Sequence, residues 1–287
     1  MLWMFLIACI STENKVETKK ISEISSLSFP AFFLSQSLVP SLQNDCFLPH
    51  EADAQHWFPN PEQIASVQEK DLIIQMGGGY ESWVLTSSLP SRKLISLERE
   101  ISMIPLLGQT HSHGSGGSHE HKGTNPFTWL DPNIYRQQLT TLKDKLLSFP
   151  LDDKQLIEQN FSALDDQLSK LSASLISHKE KFQGIHIAAN EQSYAYLARA
   201  LEIEIHPFDF PDEQDFMIKH LQEFMTWYVP DQKTVMIWSY EPSASLQDRF
   251  PSEVHHLYID TLVQPSQDGK YRYIEQFLQN IERISDL

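Results

Sequence analysis

Cysteine is scarce in this chain: 287 residues carry two, Cys9 and Cys46. Two thiols build neither a disulfide framework nor a thiolate zinc site, so any metal must rely on histidine and carboxylate. Positive charge is short as well. Lys and Arg number 22 against 38 Asp and Glu, for a formal net charge of −16. Nucleic acid, whose binding needs a basic face, is therefore not an expected partner. An acidic surface does not repel cations, although acidity alone does not call for one. Catalytic signatures are missing too: there is no G-x-S-x-G, no H-E-x-x-H and no phosphate loop. Glycines 77–79 follow an apolar run without forming G-x-G-x-x-G, and read as a chain reversal. No enzyme is expected.

What is present suffices for a sizeable core. The chain is 41% hydrophobic, and its length suggests two domains. The opening "MLWMFLIAC" is apolar but too short to span a bilayer. Its end, Leu6-Ile7-Ala8-Cys9, resembles a bacterial lipobox, although no Lys or Arg precedes it. The resemblance implies export and lipidation of Cys9, which leaves Cys46 as a lone core thiol. Residues 1–25 read as this signal followed by a polar tether.

From residue 26 onward the pattern is that of an α/β fold. "DLIIQMGG" (71–78) and "KLISLE" (93–98) are short β-favouring runs, and "PEQIASVQEK" (61–70) has helical spacing behind an early proline. Residues 134–149 read as a helix stopped by Pro150. Residues 153–182 read as one long amphipathic helix, with Leu156, Ile157, Phe161, Leu164, Leu168, Leu171 and Leu175 on one stripe. Strands at 184–190, 202–208, 234–241 and 255–263 then alternate with helices, the last at 271–287. The expected fold is two (β/α) lobes, 26–150 and 183–287, joined by a linking helix over 151–182, with a ligand cleft between them.

The most unusual stretch is "QTHSHGSGGSHEHKGTNPFTWLDP" (109–132). Four of the twelve histidines, His111, His113, His119 and His121, form two His-X-His pairs around a Gly/Ser spacer within the loop 109–123. Neutral imidazole ligates zinc, nickel, copper or cobalt. A spacer of this composition lets several histidines reach one ion, at an entropic cost because nothing in the sequence preorganises them. His50, His178, His186, His206 and His220 are scattered and read as ordinary histidines. His255 and His256 read as one in, one out along a strand, and Trp83 and Trp129 as core.

A His-rich loop, then "NPFTWLDP", a long linking helix and two β/α lobes together resemble the solute-binding proteins of zinc and manganese ABC transporters. The likeness runs from about residue 45 to the end. It includes Gly79, Glu81, Ser82 and Trp83 in a Gly-X-Glu-X-Trp pattern, "ANEQSYAYLARALEIEI" (189–205) and "YIDTLV" (258–263). The resemblance implies a metal cleft with three histidines and one acid. Carried over singly, His56 takes the first histidine position and Asp260 the acidic one. Phe127 stands where the second histidine is expected, and Glu191 where the third is expected. The implied cleft set is therefore His56, Glu191 and Asp260, one ligand short, with a loop histidine able to supply the missing nitrogen.

The resemblance, joined to the lipobox-like start, implies a receptor of the periplasm or cell envelope, lipid-anchored through Cys9. It would act as a monomer, capture a divalent metal such as zinc (manganese or another cation being the alternatives), and pass it to an ABC transporter permease. The alternative is an envelope metal-buffering or adhesin-like lipoprotein with a degenerate cleft, its metal held by the loop alone. Because carboxylates have reference pKa values near 4, the cleft is expected to keep metal at lower pH than a site built only of imidazoles.

Overall fold

The computed structural model describes residues 20–106, 110–112, 118–120, 123–266 and 268–287. The first lobe contains β1 (Glu23–Ser26), α1 (Phe29–Leu38), β2 (Gln43–Cys46), α2 (Pro61–Glu69), β3 (Leu72–Gln75) and β4 (Leu94–Ser96). Its sheet is wholly parallel in the order β2-β1-β3-β4. β1 lies within the stretch that reads as a tether, and Ile21 and Ile24 beside and within it are buried. Its serines hide the strand in the sequence, yet they are satisfied inside. Ser25 Oγ donates to Asp45 Oδ2 at 3.0 Å, and Ser26 Oγ lies 2.7 Å from Ser35 Oγ. α2 starts on a reciprocal cap: Asn60 Oδ1 accepts from Gln63 N, and Gln63 Oε1 accepts from Asn60 N, both at 2.8 Å.

A two-stranded antiparallel hairpin follows, β5 (Thr110–Ser112) with β6 (Ser118–Glu120). Residues 110–112 and 118–120 of the His-rich segment, which reads as a loop, thus pair in a defined register. α3 (Pro132–Leu147) is capped by Asp131, which accepts from the amides of Asn133 and Ile134. α4 (Lys154–Ile176) is the linking helix. It ends earlier than Phe182, because Ser177 Oγ and His178 Nδ1 both turn back on the Ser174 carbonyl, at 2.7 and 2.8 Å. A 3-10 turn, Lys179–Phe182, follows.

The second lobe runs β7 (His186–Ala189), α5 (Ala195–Leu201), β8 (His206–Pro207), α6 (Ile218–Trp227), β9 (Thr234–Trp238), α7 (Ala244–Gln247), β10 (Val254–Tyr258) and α8 (Tyr273–Ser285). Its sheet is also parallel, in the order β10-β9-β7-β8. α4 packs against α1 and α3 of one lobe and α5 and α8 of the other. Its buried stripe of Ile157, Leu164, Leu168, Leu171 and Leu175 joins a core cluster that includes residues from both sheets. Among the described residues no helix is long and apolar enough to cross a membrane. In parallel α/β sheets ligands gather at the carboxyl ends of the strands, and there the candidate residues are found.

Leu168 is fully buried at the middle of α4. Leu168→Ala should therefore lower stability by about 2–5 kcal/mol, the usual range for such a cavity, read as a fall in the urea midpoint at unchanged slope.

Candidate metal centre

At the first lobe's carboxyl edge, β3 ends in three glycines with positive φ, Gly77 (+83°), Gly78 (+64°) and Gly79 (+85°). At Gly77 a side chain would be strained by the φ of +83°, and a Cβ would also displace the Glu98 carboxylate, so glycine suits this reversal. The reversal delivers Glu81 into the interior, where its carboxylate accepts from Ser28 Oγ at 2.6 Å, Met76 N at 3.0 Å and Gly77 N at 3.1 Å. Burial pushes the Glu81 carboxyl up, and these hydrogen bonds oppose the shift. Glu81 thus fastens the ends of β1 and β3. Trp83, buried against Phe47 and Trp57, is core as the sequence suggests.

His56 lies in the turn after β2. Its side chain is 83% exposed, and its Nδ1 stands 2.5 Å from Asp53 Oδ2. The other Asp53 oxygen accepts from Gln55 N at 2.9 Å. Asp53 is the residue that sequence reading passed over; its signal is the Asp-x-x-His spacing, which sets a carboxylate against an imidazole across one turn. Phe127 is buried, its ring 5.9 Å from Tyr80 and 5.3 Å from Trp129. The position where an imidazole is expected is therefore an aromatic wall with no lone pair to offer.

The second lobe supplies two carboxylates. Glu191, just past β7, accepts from Ser193 Oγ at 2.7 Å, and Ser239 also hydrogen-bonds it. Its pKa is raised, first by burial and then by the charges of Asp53 and Asp212. Asp53 of the first lobe is thus felt electrostatically by Glu191 of the second. Asp260 follows β10. Its Oδ1 accepts from Leu262 N at 2.8 Å, its Oδ2 from Gln276 Nε2 at 3.4 Å, and its pKa too is raised by burial. Tyr194 senses both charges: burial raises its pKa first, then Glu191, then Asp260. A cavity of about 150 Å³ opens beside Glu191, with Leu106 from the foot of the hairpin on its wall.

Three residues implied as cleft ligands thus sit at strand carboxyl ends, but they are not gathered on one point. Among the described residues no three His, Cys, Asp or Glu side chains stand close enough to hold one ion. In the hairpin, His111 and His119 are directly opposed in register. His113 and His121 lie outside the described residues. Several other histidines are engaged structurally. His186 and His206 stack on Trp227 at 3.8 and 5.3 Å. His220 Nδ1 accepts from Met217 N, and His256 Nδ1 from Trp238 Nε1, both at 3.0 Å. Burial pushes the His256 pKa down to about 4. His256 is partly buried and His255 exposed, the alternation expected of a strand.

Known proteins carry the same organisation. The high-affinity zinc uptake system protein ZnuA of Yersinia pestis is 22% identical over 202 residues, 64% of this chain and 63% of that protein. The protein of the same name from Bacillus subtilis is 19% identical over 294 residues, 96% of this chain and 91% of its own length. Among solved structures, the Zn(II)-bound ZnuA-like domain of Streptococcus pneumoniae AdcA superposes with a TM-score of 0.76 at 15% identity, covering 93% of this chain and 98% of that one. This likeness establishes the shared fold, two parallel-sheet lobes, as the sequence pattern implies. The model of the zinc-uptake complex component A, periplasmic (ZnuA), matches residues 30–287, and the chain belongs to that family.

Proposed function

We propose that the protein is an extracytoplasmic receptor that captures a divalent metal ion, zinc foremost, between its lobes and delivers it to an ABC transporter permease, making and breaking no covalent bond. The observation that carries this reading is the family match over residues 30–287, joined to two carboxylates, Glu191 and Asp260, that stand past the ends of β7 and β10 and whose pKa values burial raises. A divalent cation between the lobes would offset that burial penalty, which water alone does poorly in a half-dry cleft. In this reading His56, Glu191 and Asp260 are the cleft ligands. With its Nδ1 proton directed at Asp53, the His56 ring offers Nε2 as the donor. His111, His113, His119 and His121 form a second, nitrogen-only site, in which the opposed positions of His111 and His119 lower the ordering cost relative to a free loop. Cys9 serves as the lipid anchor at the envelope.

A second reading keeps metal on the hairpin alone, as an envelope buffer. It is favoured by the buried Phe127 and by the lack of three gathered ligands among the described residues. Zinc calorimetry separates the two. The native chain should bind with two affinities, and a chain with His111, His113, His119 and His121 all changed to alanine should keep one of them. Loss of all binding in that variant sinks the cleft in favour of the buffer.

In the same alanine background, Phe127→His should strengthen zinc binding about tenfold, the worth of roughly one added contact. It should also lower the stability of the metal-free protein, because a buried ring between Tyr80 and Trp129 becomes polar. Unchanged or weaker zinc binding would show that position 127 does not face the ion.

The pH response follows from the raised carboxyls. In the metal-free fold Glu191 and Asp260 bind protons more readily than in the unfolded chain. Their protonation therefore stabilises the fold on acidification, and that contribution disappears as pH rises through the folded-state values. Zinc competes with those protons, so cleft affinity should begin to fall above the ordinary carboxylate range of about 4. This trims the margin over an imidazole site that reference values suggest. Thermal unfolding with and without zinc, from about pH 7 down to 4, should show the zinc increment shrinking. Asp260→Asn should flatten that trend, and an unaltered trend would remove Asp260 from the ligand set.

A further inference from the structure

The loops bearing His56 and Asp260 belong to different lobes, yet one side chain fastens them together. Gln264 Nε2 donates to Ala52 O at 2.7 Å, and its Oε1 accepts from Glu51 N at 3.1 Å. A carboxamide carries its donor and its acceptor on separate atoms, so one uncharged side-chain end meets a backbone C=O and a backbone N–H at once. The backbone of Gln264 is held in turn. Its carbonyl accepts from Gln276 Nε2 at 3.1 Å, and the same nitrogen reaches Asp260 Oδ2 at 3.4 Å. A connected path thus runs from Asp260 through Gln276 and Gln264 to Ala52, one residue before Asp53, which holds His56.

The backbone at both ends of this path is unusual. Glu51 (φ +67°) and Leu262 (φ +58°) occupy the left-handed region that side chains disfavour, and neither is glycine. Such conformations persist where the surroundings over-determine them. At Leu262 the side chain is fully buried and its carbonyl accepts from Tyr271 Oη at 2.8 Å. At Glu51 the amide is taken by Gln264 itself.

We propose that Gln264 is a positioning residue for the metal centre: it holds residues 51–56 of the first lobe against the 260–264 loop of the second, so that His56 and Asp260 are presented to one ion. It touches no metal. The proposal rests on the reading that the cleft binds metal through both lobes. The neutral carboxamide also matters, since a carboxylate here would add charge beside Asp260 and lose the donor to Ala52.

The test is zinc calorimetry on the full chain with the four hairpin histidines changed to alanine. Gln264→Met keeps the volume and removes both hydrogen bonds. It should weaken binding about tenfold, the combined worth of two ordinary hydrogen bonds. Gln264→Glu keeps the acceptor for Glu51 N and should fall between. The melting temperature of the metal-free protein should stay nearly constant, whereas the rise on adding zinc should shrink. With Asp260→Ala already present, Gln264→Met should cost little more, because the path then leads to no ligand. Unchanged zinc affinity in Gln264→Met, or an equal loss with and without Asp260, overturns the proposal. So does a fall in metal-free stability that accounts for the whole loss, which would make Gln264 merely structural. If the parent chain binds no zinc, the cleft reading fails and takes this one with it; a parent that binds while Gln264→Met is silent overturns the positioning role alone.

Discussion

A single indole joins the two lobes where their sheets end. Trp129 is fully buried; its Nε1 donates to Thr261 O at 2.8 Å, and its carbonyl accepts from Tyr273 Oη at 2.5 Å. Its ring packs on Tyr80 at 4.6 Å and on Phe127 at 5.3 Å. Two of the candidate segments are referred to this point. Asp260 precedes the residue that takes the indole proton, and Phe127 lies two positions before the ring. Asp131, two positions after it, caps α3 and pairs with Arg199 of α5 at 3.2 Å. Removing the indole would leave a buried carbonyl without its donor and a void in the seam, a combination that costs more than either alone.

The electrostatics of the cleft follow from the same construction. Lobes that meet at their strand ends bring acidic loops toward one another, with Glu191 and Asp260 half-buried there. Glu81, Glu191 and Asp260 all bear the cost of burial as raised pKa values, and Glu81, the most deeply buried of the three, is held by three donors. Glu81 and Asp260 differ in their partners. Glu81 accepts from two backbone amides and a hydroxyl, whereas Asp260 has one amide and a distant carboxamide.

Much of the fold was legible because its central strands are apolar. "LIIQ" and "TVMIW" announce β3 and β9 by composition alone. β1 and β2 were hidden because "EISS" and "QNDC" bury polar atoms that pair with each other, a match visible only after folding. The end of α4 was hidden because Ser177 and His178 compete with the helix for a carbonyl. At the site, Glu191 and Asp260 lie past strand ends, where the resemblance puts them, whereas the hold of Asp53 on His56 is written only in a short Asp-x-x-His spacing, and the exposure of His56 is not written in the sequence at all. The hairpin escaped notice since glycine and serine carry no β-favouring signal.

The sheets of both lobes are wholly parallel, and Glu191 and Asp260, the candidate ligands of the second lobe, stand beyond a strand's last residue rather than within it. This separation makes the donor set exchangeable. Phe127 and Glu191 stand where the family resemblance implies imidazoles, while strands β7 and β10 keep their register and α4 its buried stripe. Selection on the metal and selection on the fold therefore act on different positions. A lineage of such receptors could change its cargo through a handful of loop substitutions and inherit its architecture unaltered.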